Sequence, residues 1–513
     1  MWLKSIAALG VGLATGAVAD VRFAPVEVDA HVYDGGWEHF VGGGVAVFDC
    51  DGDGLSDLVA AGGDTPAVLM RNRSDMEGDI RFETATSETV AVTGVTGAYA
   101  LDIDGDGWRD LVLLRVGENK LLKGGPECSF RPMEIDGFDG GDAWTTAFSA
   151  TWEAGNSLPT LAFGNYVDRS NPAGPFEACD ANVLFRPEGE GYVKTDLTPG
   201  YCPLSMLFSD WGRQGRADLR VSNDRHYYVK GGAEQMWAME DVPRLYGEAD
   251  GWATHMLWGM GIASRDLDFD GKAEVFLSSM GDQRLMRLSG GQGPVFEDVP
   301  YEKGTSAHRP YQGDDGRPST GWHIAFGDVD NDGLDDAFIA KGNVEQMPDA
   351  AMEDPNNLLM QKADGTFEEQ GGAAGIGTLD RSRGAALADL NGDGLLDLVV
   401  VNRRAPMEIY QNVSGGAGNW IGVTLLGEAG NGDAVGAFIE VEAGARTYTR
   451  EVVVGGGHAG GVAAPEHFGL GNVDAVKARV IWPNGAESDW VDLEAGAVWM
   501  LWADGSRLAA AEY

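Results

Sequence analysis

The chain has 513 residues, with 80 Asp and Glu against 37 Lys and Arg, and a formal net charge of −43. That charge opposes nucleic acid and anionic membrane as partners and favours cations, basic surfaces or neutral polymers. The length suits a large core plus a second module.

At the N-terminus, MWLKSIAALGVGLATGAVAD holds Lys4, an apolar run and Ala17-Val18-Ala19, the three parts of a secretory signal peptide. Residues 1–19 are therefore expected to be cleaved, leaving Asp20 first in a secreted, extracellular or periplasmic protein. The apolar run is too short for an anchor, and no later segment approaches a membrane span. Export makes disulfides the default for Cys50, Cys128, Cys179 and Cys202, which include no CxxC motif.

The next segment, FDCDGDGLSDLVA at 48–60, places Asp49, Asp51, Asp53 and Asp57 around Gly54. Carboxylates this dense repel one another unless a cation sits among them. Four further copies follow along the chain: Asp102, Asp104, Asp106 and Asp110; Asp266, Asp268, Asp270 and Glu274; Asp328, Asp330, Asp332 and Asp336; and Asp389, Asn391, Asp393 and Asp397. Each reads D-x-[DN]-x-D-G-x-x-[DE]. Oxygen ligands at positions 1, 3, 5 and 9, with a backbone carbonyl at 7, suit hard Ca²⁺, and Gly at 6 supplies the bend. The pattern predicts about five Ca²⁺ sites. EF-hands share its first half but need flanking helices; here the flanks are short and strand-like, as in VAVF, LVLL and LVVVN.

Two weaker copies lie between. FSDWGRQGRADLRVSN keeps Asp210, Gln214, Gly215 and Asp218 and is not expected to bind metal, and FSATWEAGNSLPTLAFGN keeps only the strand–turn–strand outline. Hairpins thus begin near residues 49, 102, 152, 210, 266, 328 and 389, the spacing of a four-stranded sheet repeated seven times. The expected fold is all-β: a seven-bladed β-propeller over 20–415 and a small β-domain over 419–513. A spare strand, VRFAPVEV, precedes the first repeat and is expected to complete the last blade. In the tail, GGGHAG at 455–460 formally fits GxGxxG, but Pro465 follows and no βαβ unit surrounds it, so a dinucleotide site is rejected. His467 is read as structural.

These loops, together with WGMG at 258–261, TGWHIAFGDVDNDGLDDAFIA and RGAALADLNGDGLLDLVVVN, resemble FG-GAP or VCBS-type repeats. The tail's NWIGVTLLG, NGDAVGAFIEV, TREVVVGGG, EHFGLG and VIWPNGAE resemble an ASPIC/UnbV domain. Together they are similar to the cartilage acidic proteins and their bacterial counterparts. One departure is NGDAVGA, where that family usually carries a basic residue after Asn431. The resemblance implies secretion, a calcium-bound, integrin-like propeller and an interaction role, with no established catalysis.

No HExxH, GxSxG or Walker A signature is present. Trp37, His39, Trp144, Trp258, Trp322, His323 and Arg383 each precede an inner strand, where blades meet the channel. Packing between blades explains such residues, and so does a stacking surface for a ligand. Trp258, Trp322, His323 and Arg383 are taken as the candidate ligand residues, expected at the channel mouth opposite the calcium loops. Cys179 enters strand three of blade three and Cys202 leaves that blade on the same face, which predicts their pairing; Cys50 and Cys128 either pair or stay free. The function expected is a secreted calcium-binding module for an extracellular glycan or protein, and the alternative is a calcium-dependent carbohydrate-active enzyme such as a polysaccharide lyase. No catalytic residue is assigned, and the oligomeric state is left open.

Overall fold

Short β-branched and apolar runs, cut by Gly, Asp and Asn turns, give strands of up to eight residues in the computed structural model. It describes residues 20–509 except 154, 172–177, 225–230, 292, 307–308, 312–315 and 429; the signal peptide expected over 1–19 lies outside the described residues. The all-β class holds, with nine sheets among the described residues.

Seven of these sheets are blades of four antiparallel strands in simple order, and one of them gains a fifth, parallel strand from residues 461–463. Their inner strands are Val45–Phe48, Val95–Leu101, Thr145–Thr151, Pro203–Ser209, Gly259–Arg265, Gly321–Gly327 and Arg381–Ala388, which define blades 1 to 7. Each inner strand touches the next, and that of blade 7 touches that of blade 1, so the ring closes. Because both faces of an inner strand are covered by neighbouring blades, these strands carry continuous buried runs such as VTGAYAL instead of alternating ones. In blade 7 the fourth strand is Phe23–Val26, which pairs with Glu408–Asn412. The ring is therefore fastened by the two ends of one chain segment.

Residues 419–509 form the two remaining sheets, packed over Ile421, Val423, Ile439, Val441, Phe468, Ala478 and Val480. This domain sits on the loop face of the ring. Between Arg446–Glu451 and Glu466–Gly471 it sends a hairpin down the channel that the sequence analysis did not foresee. Ala150 N–H donates to Val454 O (3.1 Å), Gly456 N–H to Met206 O (2.7 Å) and Gly457 N–H to Ile262 O (2.7 Å). His458 N–H donates to His323 Nδ1 (3.0 Å), and Ala98 N–H donates to Ala459 O (3.1 Å). Gly461–Ala463 then pairs in parallel with Ala46–Phe48 and touches the inner strand of blade 7. The hairpin thus meets the inner strand of every blade. Glycine makes this fit: a Cβ on Gly44 or Gly97 would lie 1.7 or 2.2 Å from Ala459 O, and one on Gly457 would lie 2.3 Å from His323 Cε1.

Both cysteine pairs form disulfides. Cys179–Cys202 closes a 23-residue separation within and beyond blade 3, and Cys50–Cys128 joins the first hairpin of blade 1 to blade 2 across 78 residues. Loop closure of this size constrains the unfolded chain by roughly 3–4.5 kcal/mol each.

Candidate functional site

The repeated aspartates occupy the hairpins between first and second strands, all on the face that carries the C-terminal domain. In each loop the position-1 carboxylate accepts the N–H of the position-6 glycine at 2.7–3.0 Å, as Asp49 does from Gly54 and Asp328 from Gly333. Those glycines have φ between +82 and +89°, which explains the residue type. The position-9 carboxylate turns back to accept the position-2 N–H at 2.8–3.1 Å. In four loops its second oxygen accepts an N–H at or beside the third strand, as Asp57 does from Asn72 and Asp397 from Asn412. Positions 1 and 9 therefore build the turn and tie it to its blade.

Carboxylate oxygens converge within 4.8 Å of one another in four sets: Asp49, Asp51 and Asp53; Asp102, Asp104 and Asp110; Asp266, Asp268 and Glu274; and Asp328, Asp330 and Asp332. In the fifth loop Asn391 Nδ2 donates to Asp393 Oδ2 at 3.0 Å, beside Asp389 and Asp397. Burial pushes Asp57, Asp110 and Asp266 up to about 7 and Glu274 up to about 8, and raises Asp328, Asp336 and Asp397 well above the carboxylate range. In two loops a third-strand cation approaches: Arg71 reaches Asp51, and Lys123 reaches Asp104 and Asp106. Among the described residues no basic side chain pairs with Asp328, Asp330, Asp332 or Asp336, although Asp328 and Asp336 are almost fully buried. Several all-oxygen donors held together against their own repulsion fit a hard divalent cation.

The blade 4 loop solves the same problem differently. Asp210 accepts Gln214 and Gly215 N–H, and Asp218 accepts Met239 N–H, so the turn is kept. Arg216 at position 7 swings in, and its Nε donates to Asp218 Oδ1 at 2.9 Å.

On the opposite face a cavity of about 390 Å³ opens at the channel mouth, lined by Gly36, Trp37, Phe40, Asp224, Trp258, Met260, Met280, Trp322, Val344, Glu345, Met347, Arg403 and Arg404. A second cavity of about 380 Å³ shares Trp258 and Met280 with it. Of the four candidate ligand residues, Trp258 lines the first cavity half-buried, whereas Trp322 borders it from behind with its side chain fully buried, so the expected ligand contact falls to Trp258 alone. Arg383 lies behind it, fully buried, with its guanidinium 3.9 Å from the Trp322 ring centroid. Its N–H groups are taken by Phe40 O, Ser382 O, Asn343 O and Val344 O. His323 faces the hairpin, and burial lowers it to about 3. Trp37 lines the cavity and Trp144 backs it, edge-on to Trp37 and Phe40 at 5.7 Å. His39 is buried beside Asp64 at 3.3 Å. Glu345 is gripped by Arg403 and Arg404, and Asp224 accepts the Tyr166 hydroxyl. The sequence analysis missed Phe40, Asp224, Met260, Met280, Glu345, Met347, Arg403 and Arg404. Arg403 and Arg404, at the end of a second strand in VVVNRR, were the one local signal available.

Profile comparisons match an FG-GAP-like repeat to residues 49–113 and 349–400, and ASPIC and UnbV to residues 427–507. The chain carries FG-GAP-like repeats and an ASPIC/UnbV domain. Cartilage acidic protein 1 of Mus musculus is 23% identical over 477 residues, covering 86% of this chain and 70% of that protein. The Homo sapiens protein of that name is 22% identical over 477 residues, covering 86% and 69%. Among solved structures, BBS1N in complex with ARL6DN matches with a TM-score of 0.45 and 10% identity, over 76% of this chain and 96% of that one. An Agrocybe aegerita lectin specific for non-reducing terminal N-acetylglucosamine matches with a TM-score of 0.40 and 16% identity, over 70% and 88%. Scores at this level assign neither ligand nor partner. Among the described residues no helix is long and apolar enough to cross a membrane.

Proposed function

We propose that this is an exported, calcium-binding propeller that acts as an extracellular binding or adhesion module for a glycan or protein ligand. The observation that carries this reading is the cavity at the channel mouth, where Trp37, Trp258 and Phe40 stand with three methionines over the buried Trp322. Aromatic faces stack on sugars or on apolar side chains, and methionines adapt to varied shapes. Ca²⁺ held by the five loops stiffens the other face and does not enter the ligand site. Two disulfides and the relationship to cartilage acidic protein 1 support export. A lyase would need a free acid–base pair in the cavity; Glu345 and Asp224 are already engaged, which favours binding over proton transfer.

Glycan and extracellular-protein arrays probed with wild type and Trp258→Ala test the proposal. Trp258 is half-buried at the rim, so the variant should keep a melting temperature within about 1 kcal/mol of wild-type stability while losing its ligand. Equal binding by both proteins would remove the cavity from the proposal, and release of a cleaved product from a bound polysaccharide would replace binding by catalysis.

A further inference from the structure

The cavity is not made by the propeller alone. Its inner wall is Trp322 and Met260, and immediately behind both stands His458 at the tip of the C-terminal domain's hairpin. The imidazole meets the Trp322 ring edge-on at 5.2 Å between centroids. Its Nε2 accepts the Gly42 N–H at 3.2 Å, which leaves the ring proton on Nδ1, where it donates to Met260 O at 3.0 Å. One fully buried side chain thus ties together blades 1, 5 and 6 directly under the cavity. Nothing in a closed propeller requires this, because a ring of blades packs without a plug. The glycines at 44, 97 and 457 admit the tip through the close approaches already given, and a Cβ on Gly261 would lie 3.1 Å from Gly457 O of the tip.

We infer that the cavity is a two-domain site in which His458 of the C-terminal domain is a positioning residue, fixing the fully buried Trp322 ring and the Met260 backbone that form the floor beneath the lining a ligand meets. Trp322 is held from three sides: Arg383 over one face, His458 at its edge, and its own Nε1–H donated to Gly342 O at 2.7 Å. Removing the imidazole frees one side and opens space beneath the wall, so the ring moves without the blade unfolding. The inference rests on the cavity being the ligand site.

The experiment uses the full chain labelled with 5-fluorotryptophan, with the Trp322 ¹⁹F resonance assigned by Trp322→Phe, and indole titrated as an aromatic probe of the cavity. In His458→Ala the Trp322 resonance should move by more than its linewidth while those of Trp420 and Trp482 in the C-terminal domain stay in place. Indole binding should weaken on the order of fivefold or more. His458→Asn, which keeps a donor for Met260 O, should recover most of that binding. An unmoved Trp322 resonance in His458→Ala overturns the inference, as does equal loss of binding and of melting temperature in the Ala and Asn variants, which would make the hairpin a packing plug only. Trp258→Ala separates the two readings. Indole bound equally by wild type and Trp258→Ala removes the cavity as the site, and the Trp322 resonance still decides what His458 does.

Discussion

The loops of blades 4 and 6 fold the same turn with different charges inside. Asp210 accepts the position-5 and position-6 N–H as Asp328 does, and Asp218 accepts an N–H at or beside the third strand as Asp336 does; where Asp336 also takes the position-2 N–H, Asp218 takes the Trp211 ring N–H. What differs is positions 3, 5 and 7. Blade 6 adds Asp330 and Asp332, which pair with no basic side chain among the described residues, whereas blade 4 has Gly212 and Gln214 and brings in Arg216. The comparison separates two jobs that the repeat pattern merges. Carboxylates at 1 and 9 hold the backbone in both loops; on the calcium proposal those at 3 and 5 complete the cation's oxygen set, and where they are lost a guanidinium supplies the positive charge.

The largest test of this division is removal of calcium. A site bound only in the native state contributes about 2.7 kcal/mol at a hundredfold excess of ligand over Kd, and five are proposed. EDTA should lower the melting temperature strongly, and added Ca²⁺ should restore it. A melt unchanged by chelator, with no metal found by elemental analysis, would end the calcium proposal and leave the loops as acidic turns.

The same two loops also hold the C-terminal domain, again by different chemistry. At blade 6, Arg450 donates to both oxygens of Asp335 at 3.0 and 3.2 Å, with both residues buried and the guanidinium 4.0 Å from the Phe468 ring centroid. Arg450→Met should cost about 3 kcal/mol in denaturant unfolding, at the lower end for a broken buried pair because Arg265 still lies 3.8 Å from Asp335. A loss below about 1 kcal/mol would show that docking does not depend on this pair.

At blade 4 the docking group is Glu451, whose oxygens accept the Ser209 hydroxyl at 2.5 Å and the Asp210 N–H at 2.6 Å. Burial pushes it up to about 7. The folded state therefore binds this proton more tightly than the unfolded chain. Its contribution is complete below the ordinary Glu value and is lost as pH rises through about 7. In saturating Ca²⁺, the stability difference between wild type and Glu451→Gln should change by roughly 3 kcal/mol between pH 4.5 and 8, with the variant gaining at high pH. A difference that is flat across that range would mean Glu451 is ionised throughout.

Much of the fold was legible because its determinants are local. Each aspartate loop is written within nine residues, and the repeats are spaced evenly enough to give blades. Trp258 and Trp322 could be placed near the mouth because Trp258 immediately precedes an inner strand and Trp322 is the second residue of one. The rest depends on partners far apart in sequence. Arg383 reads as a ligand group until its acceptors, at Phe40, Asn343 and Val344, are seen to come from segments about forty and more than three hundred residues away. GGGHAGG carries no periodicity, and its fit follows from glycines on strands of other blades. Glu345 and Arg403 come from the consecutive blades 6 and 7, fifty-eight residues apart, and meet only because those blades pack side by side. The pairing of Cys50 with Cys128 was open because both readings satisfy the same topology.

The smallest test is the sharpest. Asp330→Ala and Arg216→Ala each remove one charged group from a loop, but only the first should depend on metal. In Ca²⁺, Asp330→Ala should lose much of one site's contribution, up to about 2.7 kcal/mol. In EDTA it should be neutral or slightly stabilising, because one of several crowded carboxylates is gone. Arg216→Ala leaves Asp218 buried with only Trp211, Tyr246 and Met239 N–H as donors. It should cost about 1–2 kcal/mol, the scale of a lost hydrogen bond to a charged group, equally with and without Ca²⁺. The readout is a difference of differences, so shared effects on the ring cancel. If Arg216→Ala is milder in calcium than in chelator, the vacated blade 4 loop has bound the ion, and the guanidinium was standing in a usable site. If both variants respond equally to calcium, positions 3 and 5 have no separate role from 1 and 9, and the division drawn between the two loops is lost.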